Sequence, residues 1–272
     1  MEYGVTKSKG KKHDLDKFYT VPAVAKSCID LLDLSEFSLI IEPSAGSGSF
    51  SSQLPSDAIA LDLNPENDGI IKQDFFDFIP TGKKGNILVI GNPPFGQQNS
   101  LALKFINHAA RFADTIAFII PRSFDKDSLK RRVDKNFHLA SSTTLPPKSF
   151  TIDGELYAVP CVFQVWIRGT QPRVDAALKL TTDHFRFVKK SDNPDFSIRR
   201  IGGNAGKASM NTDVSDQSNY FVLNTATLGV DEFVAHINSL KFPSRDMGVG
   251  PRSISKGELI AVIEKSLFDL EA

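Results

Sequence analysis

The run 91–95, Gly-Asn-Pro-Pro-Phe, combines an amide side chain, two prolines and an aromatic ring in five positions. It follows the apolar stretch 86–90, which is typical of a buried strand. Proline lacks an N–H and has a fixed φ, so two prolines in succession end a strand and orient the carbonyl groups there. The Asn92 side-chain oxygen and the Pro93 carbonyl could then accept hydrogen bonds from one exocyclic amine, and Phe95 offers a flat surface to its ring. The run therefore indicates chemistry at the NH2 group of a planar base.

Three other groups of residues could hold a ligand near this run. Residues 42–50, Glu-Pro-Ser-Ala-Gly-Ser-Gly-Ser-Phe, form a small-residue loop that lets the backbone turn sharply and approach a ligand. This loop lacks the Gly-Lys-Ser/Thr ending of a phosphate-binding P-loop and the three spaced glycines of a dinucleotide loop. The next apolar stretch ends in Asp62, whose carboxylate suits paired ribose hydroxyls. Beyond it, Asp74 and Phe75 offer a carboxylate for an adenine amino group and an aromatic side chain beside the ring.

The apolar pattern predicts strands that alternate with helices. We expect helices over 21–32, 101–112 and 259–270, the last one with a capping box at Ser255 and Glu258. We expect strands over 38–41, 59–63, 86–90, 115–120 and 159–167, with a short strand or turn over 70–78. This alternation favours an α/β fold with a mainly parallel sheet, in which ligands bind at the carboxyl ends of the strands.

Composition is that of a soluble, cytoplasmic protein with a sizeable core. The chain has 272 residues, 41% of them hydrophobic, and its 32 basic residues equal its 32 acidic ones. We expect no membrane span, because no apolar run is long enough. Cys28 and Cys161 lie in apolar patterns and are expected to be buried thiols. The five histidines show no metal-ligand spacing, so no metal is expected; they are His13, His108, His138, His184 and His236.

The order of these motifs resembles that of the S-adenosylmethionine-dependent, adenine-N6-specific DNA methyltransferases whose cofactor motifs precede the catalytic one. The N-terminal motif of that family resembles residues 16–22, its cofactor loop resembles 42–50, and its two acidic positions match Asp62 and Asp74. Its catalytic tetrapeptide, Asn or Asp followed by Pro-Pro and an aromatic residue, matches 92–95. The resemblance covers residues 14–168. Adenosine methyltransferases that act on RNA caps share the same tetrapeptide, which leaves the type of polymer open.

The resemblance implies a role for each matched residue. S-adenosylmethionine would be bound by Phe18, Tyr19, Thr20, Glu42, Pro43, Ser44, Ala45, Gly46, Asp62, Asp74, Phe75 and Asn92. Asn92, Pro93, Pro94 and Phe95 would form the catalytic run, with Phe95 stacking on the target base. The family has a second aromatic residue on the other face of the base, and Phe150 is our candidate for it, with a loop anchor in the core as the equal alternative.

The resemblance also implies a fold and a domain organisation. The fold would be the Rossmann-like methyltransferase fold: a mainly parallel seven-stranded sheet with helices on both faces, plus a small C-terminal α+β extension. We divide the chain into a flexible basic arm over 1–13, the methyltransferase domain over 14–170, and a C-terminal region over 171–272 that could recognise substrate. Within that region, residues 196–207 are basic and rich in turns, so they are either phosphate contacts or a solvated loop.

The expected activity is adenine-N6 methylation of DNA with base flipping, as in restriction-modification systems. Methylation of RNA is the first alternative, and methylation of protein glutamine is a second enzymatic one. A catalytically silent subunit that binds nucleic acid or a partner methyltransferase belongs to a different functional class. The intact run 92–95 argues against the silent subunit, and residues 18–20 argue against the glutamine enzyme.

Overall fold

The computed structural model describes residues 18–82, 85–175, 180–243 and 252–271. The expected arm over 1–13 and the first two residues of the N-terminal motif lie outside these ranges. The chain divides into two compact units. The first runs up to Pro121 and continues over Arg132–Arg173, and the second combines Arg122–Arg131 with the chain from Val174 onwards.

The described residues of the first unit form two helices and ten strands. The helices are α1 (Pro22–Ile29) and α2 (Ser100–Ala109). The strands are β1 (Tyr19–Thr20), β2 (Leu39–Glu42), β3 (Ile59–Asp62), β4 (Ile71–Lys72), β5 (Ile87–Gly91), β6 (Thr115–Pro121), β7 (Phe137–Thr144), β8 (Phe150–Ile152), β9 (Glu155–Tyr157) and β10 (Cys161–Arg168). Short 3-10 turns follow several of the strands, including Ser51–Gln53 after β2 and Phe75–Asp77 after β4.

Seven of these strands form one sheet in the order β4-β3-β2-β5-β6-β10-β7. The strands from β4 to β6 run parallel to one another, whereas β10 is antiparallel to both of its neighbours. This arrangement confirms the predicted Rossmann-like α/β fold with a mainly parallel seven-stranded sheet. It also brings the carboxyl ends of β3, β2 and β5 side by side at one edge, where parallel sheets bind ligands.

The sequence of helix α1 matches its position on the sheet. Helix α1 buries Ala25, Cys28 and Ile29 at helical spacing, and these side chains pack on a cluster that includes Ile40, Leu88 and Ile90 of the sheet. Proline is tolerated at the first position of this helix, since the N–H that it lacks would have no partner there. Both cysteines are buried as expected, and burial raises the pKa of each thiol.

A small sheet of β1, β8 and β9 fixes the N-terminal segment of the first unit. Tyr19 pairs with Thr151 and Thr20 pairs with Phe150 in antiparallel register. Strands β8 and β9 form a hairpin whose two-residue turn, Asp153-Gly154, has positive φ at both positions, as a type I′ turn requires. The short N-terminal strand therefore depends on a hairpin that lies more than a hundred residues later in the sequence.

The apolar pattern of the sequence does not predict strand β7. Its first residue, Phe137, is buried, but most of the strand is exposed and polar because it lies at the edge of the sheet. An exposed edge strand shows neither the apolar run of a buried strand nor the alternation of a half-buried one. Pairing with β10 therefore stabilises β7 as a strand, although the residues of β7 do not predict one.

The second unit has its own sheet and its own core. It contains α3 (Asp127–Lys130), α4 (Val230–Ser239), α5 (Lys256–Glu271) and strands β11 (Phe185–Val188), β12 (Phe196–Arg199), β13 (Ala208–Ser209) and β14 (Asn219–Asn224). The four strands pair antiparallel in the order β11-β14-β12-β13. Phe233 and Ile237 of α4 and Leu259 and Ile263 of α5 pack in one cluster with this sheet. The predicted capping box is confirmed, because Ser255 N donates to Glu258 Oε2 at 2.7 Å and Glu258 N donates to Ser255 Oγ at 3.3 Å.

Gly96 offers a test of how tightly the segment after the proline pair is packed. Its φ is +68°, and a Cβ there would lie 2.6 Å from the Leu101 Cβ. Gly69 has a similar φ of +86° but has open space around it. We expect Gly69→Ala to lower the free energy of unfolding by about 1 kcal/mol, through backbone strain alone. Gly96→Ala should cost roughly 2–3 kcal/mol, because the overlap adds to the strain. Urea denaturation measures both, and equal losses would show that the segment can relax.

Candidate active site

A cavity of about 430 Å³ opens in the first unit, at the edge where β2, β3 and β5 end. It is lined by every residue that the sequence assigned to the cofactor and to the catalytic run: Phe18, Tyr19, Thr20, Glu42, Pro43, Ser44, Ala45, Gly46, Asp62, Asp74, Phe75, Asn92, Pro93, Pro94 and Phe95. Phe150 is not part of this lining. Segments that are far apart in the sequence thus meet around one cavity because their strands are neighbours in the sheet.

The Asn92 side chain is held in one orientation by the N-terminal segment. Its Nδ2 donates to the Phe18 carbonyl at 2.9 Å, and Ser44 Oγ donates to the Asn92 carbonyl at 3.1 Å. A flipped amide would set two oxygen atoms against each other, so the hydrogen bond to Phe18 decides where the amide oxygen lies. That oxygen, Oδ1, is buried and has no hydrogen-bond partner among the described residues.

Glu42, the last residue of β2, is a buried acid. The residue is 2% exposed, and its Oε2 is buried without a partner among the described residues. Burial raises the pKa of this carboxyl to about 8; hydrogen bonds from Ser51 oppose the shift, and the charge on Asp62 adds slightly to it. At Gly91, with φ +149°, a Cβ would lie 3.2 Å from the Glu42 Cγ. Glycine at this position therefore leaves room for the acid.

Within the described ranges, Thr20 provides the third buried side-chain polar atom without a hydrogen-bond partner, after those of Asn92 and Glu42. Its Oγ1 is the third such atom, while its carbonyl accepts from Ser49 Oγ at 2.6 Å. The three atoms belong to three different segments, yet all three residues line the same cavity. Buried polar groups nearly always have partners, because an unpaired one costs about 1–3 kcal/mol. Their concentration around the cavity indicates a polar ligand that forms hydrogen bonds with them, and an ammonium group would suit Glu42 in its ionised form.

Two further carboxylates organise the loops of the cavity. Asp62 accepts from the Gly46 N–H and from the Asn64 N–H, both at 2.7 Å, and so ties the glycine-rich loop to the end of β3. Asp74 accepts from the Phe76 N–H at 2.9 Å and caps the 3-10 turn over Phe75–Asp77. Each carboxylate keeps further lone pairs, because an ionised carboxyl group can accept about four hydrogen bonds.

Three aromatic rings are in contact here, and one of them is Phe95 of the catalytic run. The Phe18 ring lies 5.9 Å from the Phe95 ring at an angle of 21°, and 5.8 Å from the Tyr157 ring at 33°. Phe95 is 7% exposed, since Phe18 covers one of its faces. Tyr157 is half exposed, at 50%. Tyr157 is therefore more exposed than Phe95 at this site.

Phe150, our candidate for the second aromatic residue of the base site, lies in the core. It is completely buried, at 0% exposure, and meets Phe18 and Phe95 edge-on at 6.1 and 6.3 Å. It belongs to the core cluster that supports α1, so neither face of its ring is free for a base. The position matches the alternative of a loop anchor.

Several residues of this site were missed at the level of sequence. Glu66 lines the cavity and accepts a hydrogen bond from the Tyr19 hydroxyl, and Phe76 and Phe105 line it with Phe75. A local signal could have found Tyr157, because Asp153-Gly154 between two apolar segments is a strong indicator of a hairpin. Glu66 and Phe105 carry no such signal, since only the folding of distant segments brings them to the cavity.

The described ranges contain no group of three or more histidine, cysteine or acidic side chains placed to hold a metal ion. Within the same part of the chain, the helices are too short or too polar to cross a bilayer.

Comparisons with known proteins give structural similarity only. No protein-family model and no curated protein matches the chain. Solved structures similar to it include a proposed RNA methyltransferase from Pyrococcus horikoshii, at 18% identity and a TM-score of 0.46, with 59% of this chain and 91% of that chain covered. The modification subunit of a proposed type I restriction enzyme from Vibrio vulnificus has 17% identity and a TM-score of 0.42, and the match covers 59% of this chain but only 46% of that one. The 23S rRNA methyltransferase ErmE has 13% identity and a TM-score of 0.41, with 59% and 73% covered. Similarity at this level does not assign an activity to the chain.

The raised pKa of Glu42 predicts a pH dependence of stability. The folded protein keeps the Glu42 proton up to about pH 8, whereas an unfolded chain releases it near its ordinary pKa of 4.5. The folded state therefore binds more protons in this window, and the contribution of Glu42 to stability falls as pH rises from about 5 to about 8. We expect the free energy of unfolding of wild type, relative to Glu42→Gln, to decrease across that range in urea denaturation.

The control for this prediction is Glu36→Gln, since Glu36 is exposed at the surface of the same unit. Its difference from wild type should stay constant over the range of pH. A difference between wild type and Glu42→Gln that also stays constant would mean that Glu42 is ionised throughout.

Proposed function

We propose that this protein transfers a methyl group from S-adenosylmethionine to the exocyclic N6 of adenine in nucleic acid, with DNA as the preferred polymer. The observation that supports this most strongly is the buried Asn92 Oδ1, which has no partner among the described residues. It is an acceptor held in place by the hydrogen bond from Nδ2 to Phe18, and Asn92 lines a cavity large enough for a small organic ligand. Such an acceptor requires a hydrogen-bond donor, which the amine of a target base would supply.

The residues present fit S-adenosylmethionine. The partnerless Glu42 and Thr20 atoms suit the donors and the positive charge of its amino-acid end, while Asp62 suits the ribose hydroxyls and Asp74 the adenine amino group. When bound, the cofactor supplies an electrophilic methyl group on a positively charged sulfur. A cation beside Glu42 would lower the pKa of that carboxyl and so restore the charge that burial suppresses.

The chain contributes to the reaction mainly by positioning the amine. Asn92 Oδ1 and the Pro93 carbonyl would each accept a hydrogen bond from the target NH2 group and so orient its lone pair. As the amine nitrogen bonds to the methyl carbon and the bond from that carbon to sulfur breaks, the nitrogen becomes positively charged, so these hydrogen bonds strengthen in the transition state. The methylated nitrogen then loses its extra proton to solvent, so no side chain has to remove a proton before the attack. The mechanism therefore needs well-placed acceptors and no general base with a perturbed pKa.

Entry of a base at Phe95 requires a change in the N-terminal segment. The Phe18 ring covers that face of Phe95, so its side chain must rotate before a base can stack there. Tyr157 then becomes the second aromatic residue of the base site, in place of Phe150, because its ring is accessible and adjoins Phe18. A flipped base would gain stacking worth about 1–3 kcal/mol, which offsets part of the cost of unstacking.

The type of polymer is tested directly with labelled substrate. Purified protein is incubated with S-adenosylmethionine carrying a labelled methyl group and with duplex DNA, RNA or a protein mixture. We expect label in DNA and its recovery as N6-methyladenine after digestion. Label only in RNA would replace DNA by RNA in the proposal. Label in no polymer, together with measurable cofactor binding, would favour a catalytically silent subunit.

Asn92→Ala tests the central residue. It removes both the partnerless acceptor and the donor to Phe18, so we expect kcat to fall by about 10²- to 10³-fold while cofactor affinity is retained. Asn86→Ala is the matched control, since Asn86 precedes the same strand and is exposed. Methylation kinetics and calorimetric titration with S-adenosylmethionine separate the two effects. Equal loss of turnover and of cofactor binding would assign Asn92 to the cofactor or to folding.

For comparison, Asp62→Ala should weaken cofactor binding first, because it releases the glycine-rich loop as well as removing the ribose contact.

Tyr157→Ala tests the second aromatic residue. Loss of one stacking face should raise the KM for the nucleic acid roughly tenfold and leave cofactor binding unchanged. Leu156→Ala is the control, since Leu156 is similarly exposed at 55% and successive side chains of a strand point to opposite faces. Methylation kinetics with a short oligonucleotide provide the measurement. Equal effects of the two substitutions would show that the hairpin acts through stability and not through stacking.

A further inference from the structure

The charged residues that line the cavity of the first unit are all acidic in the part of the chain that the structure describes. They are Glu42 at the end of β2, Asp62 at the end of β3, Glu66 in the loop that follows, and Asp74 just after β4. The described lining includes no lysine, arginine or histidine. The catalytic run and helix α2 contribute only neutral side chains to it. A charged ligand in this cavity therefore meets groups of one sign.

Within the described ranges, Asp62 and Asp74 form hydrogen bonds with backbone groups and not with cations. Asp62 accepts from the N–H groups of Gly46 and Asn64, and Asp74 accepts from the N–H group of Phe76. A backbone N–H is a neutral dipole, so these bonds fix the carboxylates without cancelling their charge. Both aspartates are half-buried, where water screens a charge less than it does at the surface.

Glu42 and Thr20 indicate independently that a polar ligand belongs in this cavity. Glu42 is 2% exposed, yet its Oε2 has no hydrogen-bond partner among the described residues. Thr20 is 5% exposed, and the same holds for its Oγ1. A buried oxygen without a partner is costly unless a ligand supplies the missing hydrogen bond. The ammonium group of S-adenosylmethionine is a donor that would suit Glu42.

The proposed reaction changes the charge of the cofactor at one atom. S-adenosylmethionine carries an ammonium, a carboxylate and a sulfonium, so it has one positive charge in excess. When the methyl carbon bonds to the target amine, the electron pair of its bond to sulfur stays on sulfur, which becomes a neutral thioether. The product, S-adenosylhomocysteine, keeps the same adenine, ribose and amino-acid groups. Contacts with those groups therefore cancel when the affinities of cofactor and product are compared.

We propose that the acidic lining of this cavity distinguishes the cationic cofactor from its neutral product, so that methyl transfer itself weakens the binding of S-adenosylhomocysteine. This proposal rests on the proposed function for the identity of the cofactor. A unit charge about 8 Å from one carboxylate, at an effective dielectric constant of about 40, gains enough to change a dissociation constant roughly fivefold. Asp62 and Asp74 both attract the sulfonium, and neither attracts the neutral thioether. We expect the product to bind about tenfold more weakly than the cofactor, or weaker still.

Calorimetric titration of the full chain, without nucleic acid, compares three ligands that differ at this one position. S-adenosylmethionine has a sulfonium there, S-adenosylhomocysteine has a thioether, and sinefungin has a carbon atom that carries an ammonium group. Wild-type protein should bind the two cationic ligands with similar Kd and the thioether about tenfold more weakly. Equal Kd for all three would overturn the proposal. Sinefungin that binds as weakly as the thioether would assign the difference to the methyl group and would also overturn it.

Two substitutions test whether the carboxylates cause the difference. Asp62→Asn and Asp74→Asn each remove one charge and keep a side-chain oxygen as a hydrogen-bond acceptor. Each should lower the ratio of the product Kd to the cofactor Kd by roughly two- to fivefold, whatever happens to the two values separately. A ratio that keeps its wild-type value in both variants would overturn the proposal. If one variant fails to fold, the other one decides.

Ser49→Ala is the matched control for these substitutions. Ser49 lines the same cavity, and the substitution removes its hydrogen bond to the Thr20 carbonyl without removing a charge. It should change both Kd values by the same factor and so leave their ratio unchanged. A ratio that falls as far as in the aspartate variants would show that packing of the cavity, and not charge, sets the selectivity.

Failure of this proposal and failure of the proposed function give different results. If none of the three ligands binds, the choice of cofactor is wrong and both proposals fall. If the cationic ligands bind more tightly but no N6-methyladenine forms, the proposed activity is wrong and the selectivity stands. If wild-type protein methylates adenine and binds cofactor and product equally well, the selectivity is wrong and the activity stands.

Discussion

The hydrogen bond from Asn92 Nδ2 to the Phe18 carbonyl is the contact on which the orientation of the Asn92 amide depends. It fixes the amide, so the oxygen and not the nitrogen is left as the buried acceptor. It also fastens the N-terminal segment, already paired through β1 to the β8–β9 hairpin, to the proline run at the end of β5. This bond joins residues that are 74 positions apart, and the pairing of β1 with β8 holds the N-terminal segment independently of it.

The buried oxygens of Thr20, Glu42 and Asn92 form no hydrogen bond with the part of the chain that the structure describes, which is costly because each has lost its hydration. Such a cost is tolerated where a ligand supplies the missing partners. Gly91 contributes to the same arrangement, since its lack of a side chain leaves space for the buried Glu42. Stability and ligand binding are therefore opposed at this edge of the sheet, as is common at functional sites.

The two units use charge differently. The cavity of the first unit is organised by carboxylates and amides that are partly or fully buried, where each hydrogen bond has a large effect. The second unit places Arg200 over the Tyr220 ring and Lys256 over the rings of Tyr220 and Phe187, with both cations at the surface, where a single charge contributes little to stability.

The amino-acid sequence by itself determined the alternation of strands and helices, the parallel sheet, and the order of the loops that line the cavity, because apolar periodicity and proline or glycine signals act over short distances. The final capping box was predictable for the same reason. Only the tertiary structure decided that Phe150 lies in the core while Tyr157 is accessible, that the polar segment 137–144 is an edge strand, and that Arg200 and Arg252 lie on neighbouring strands of a bridge. Each of these depends on contacts between distant segments, and burial, pairing and the loss of a hydrogen-bond partner arise only once those segments meet.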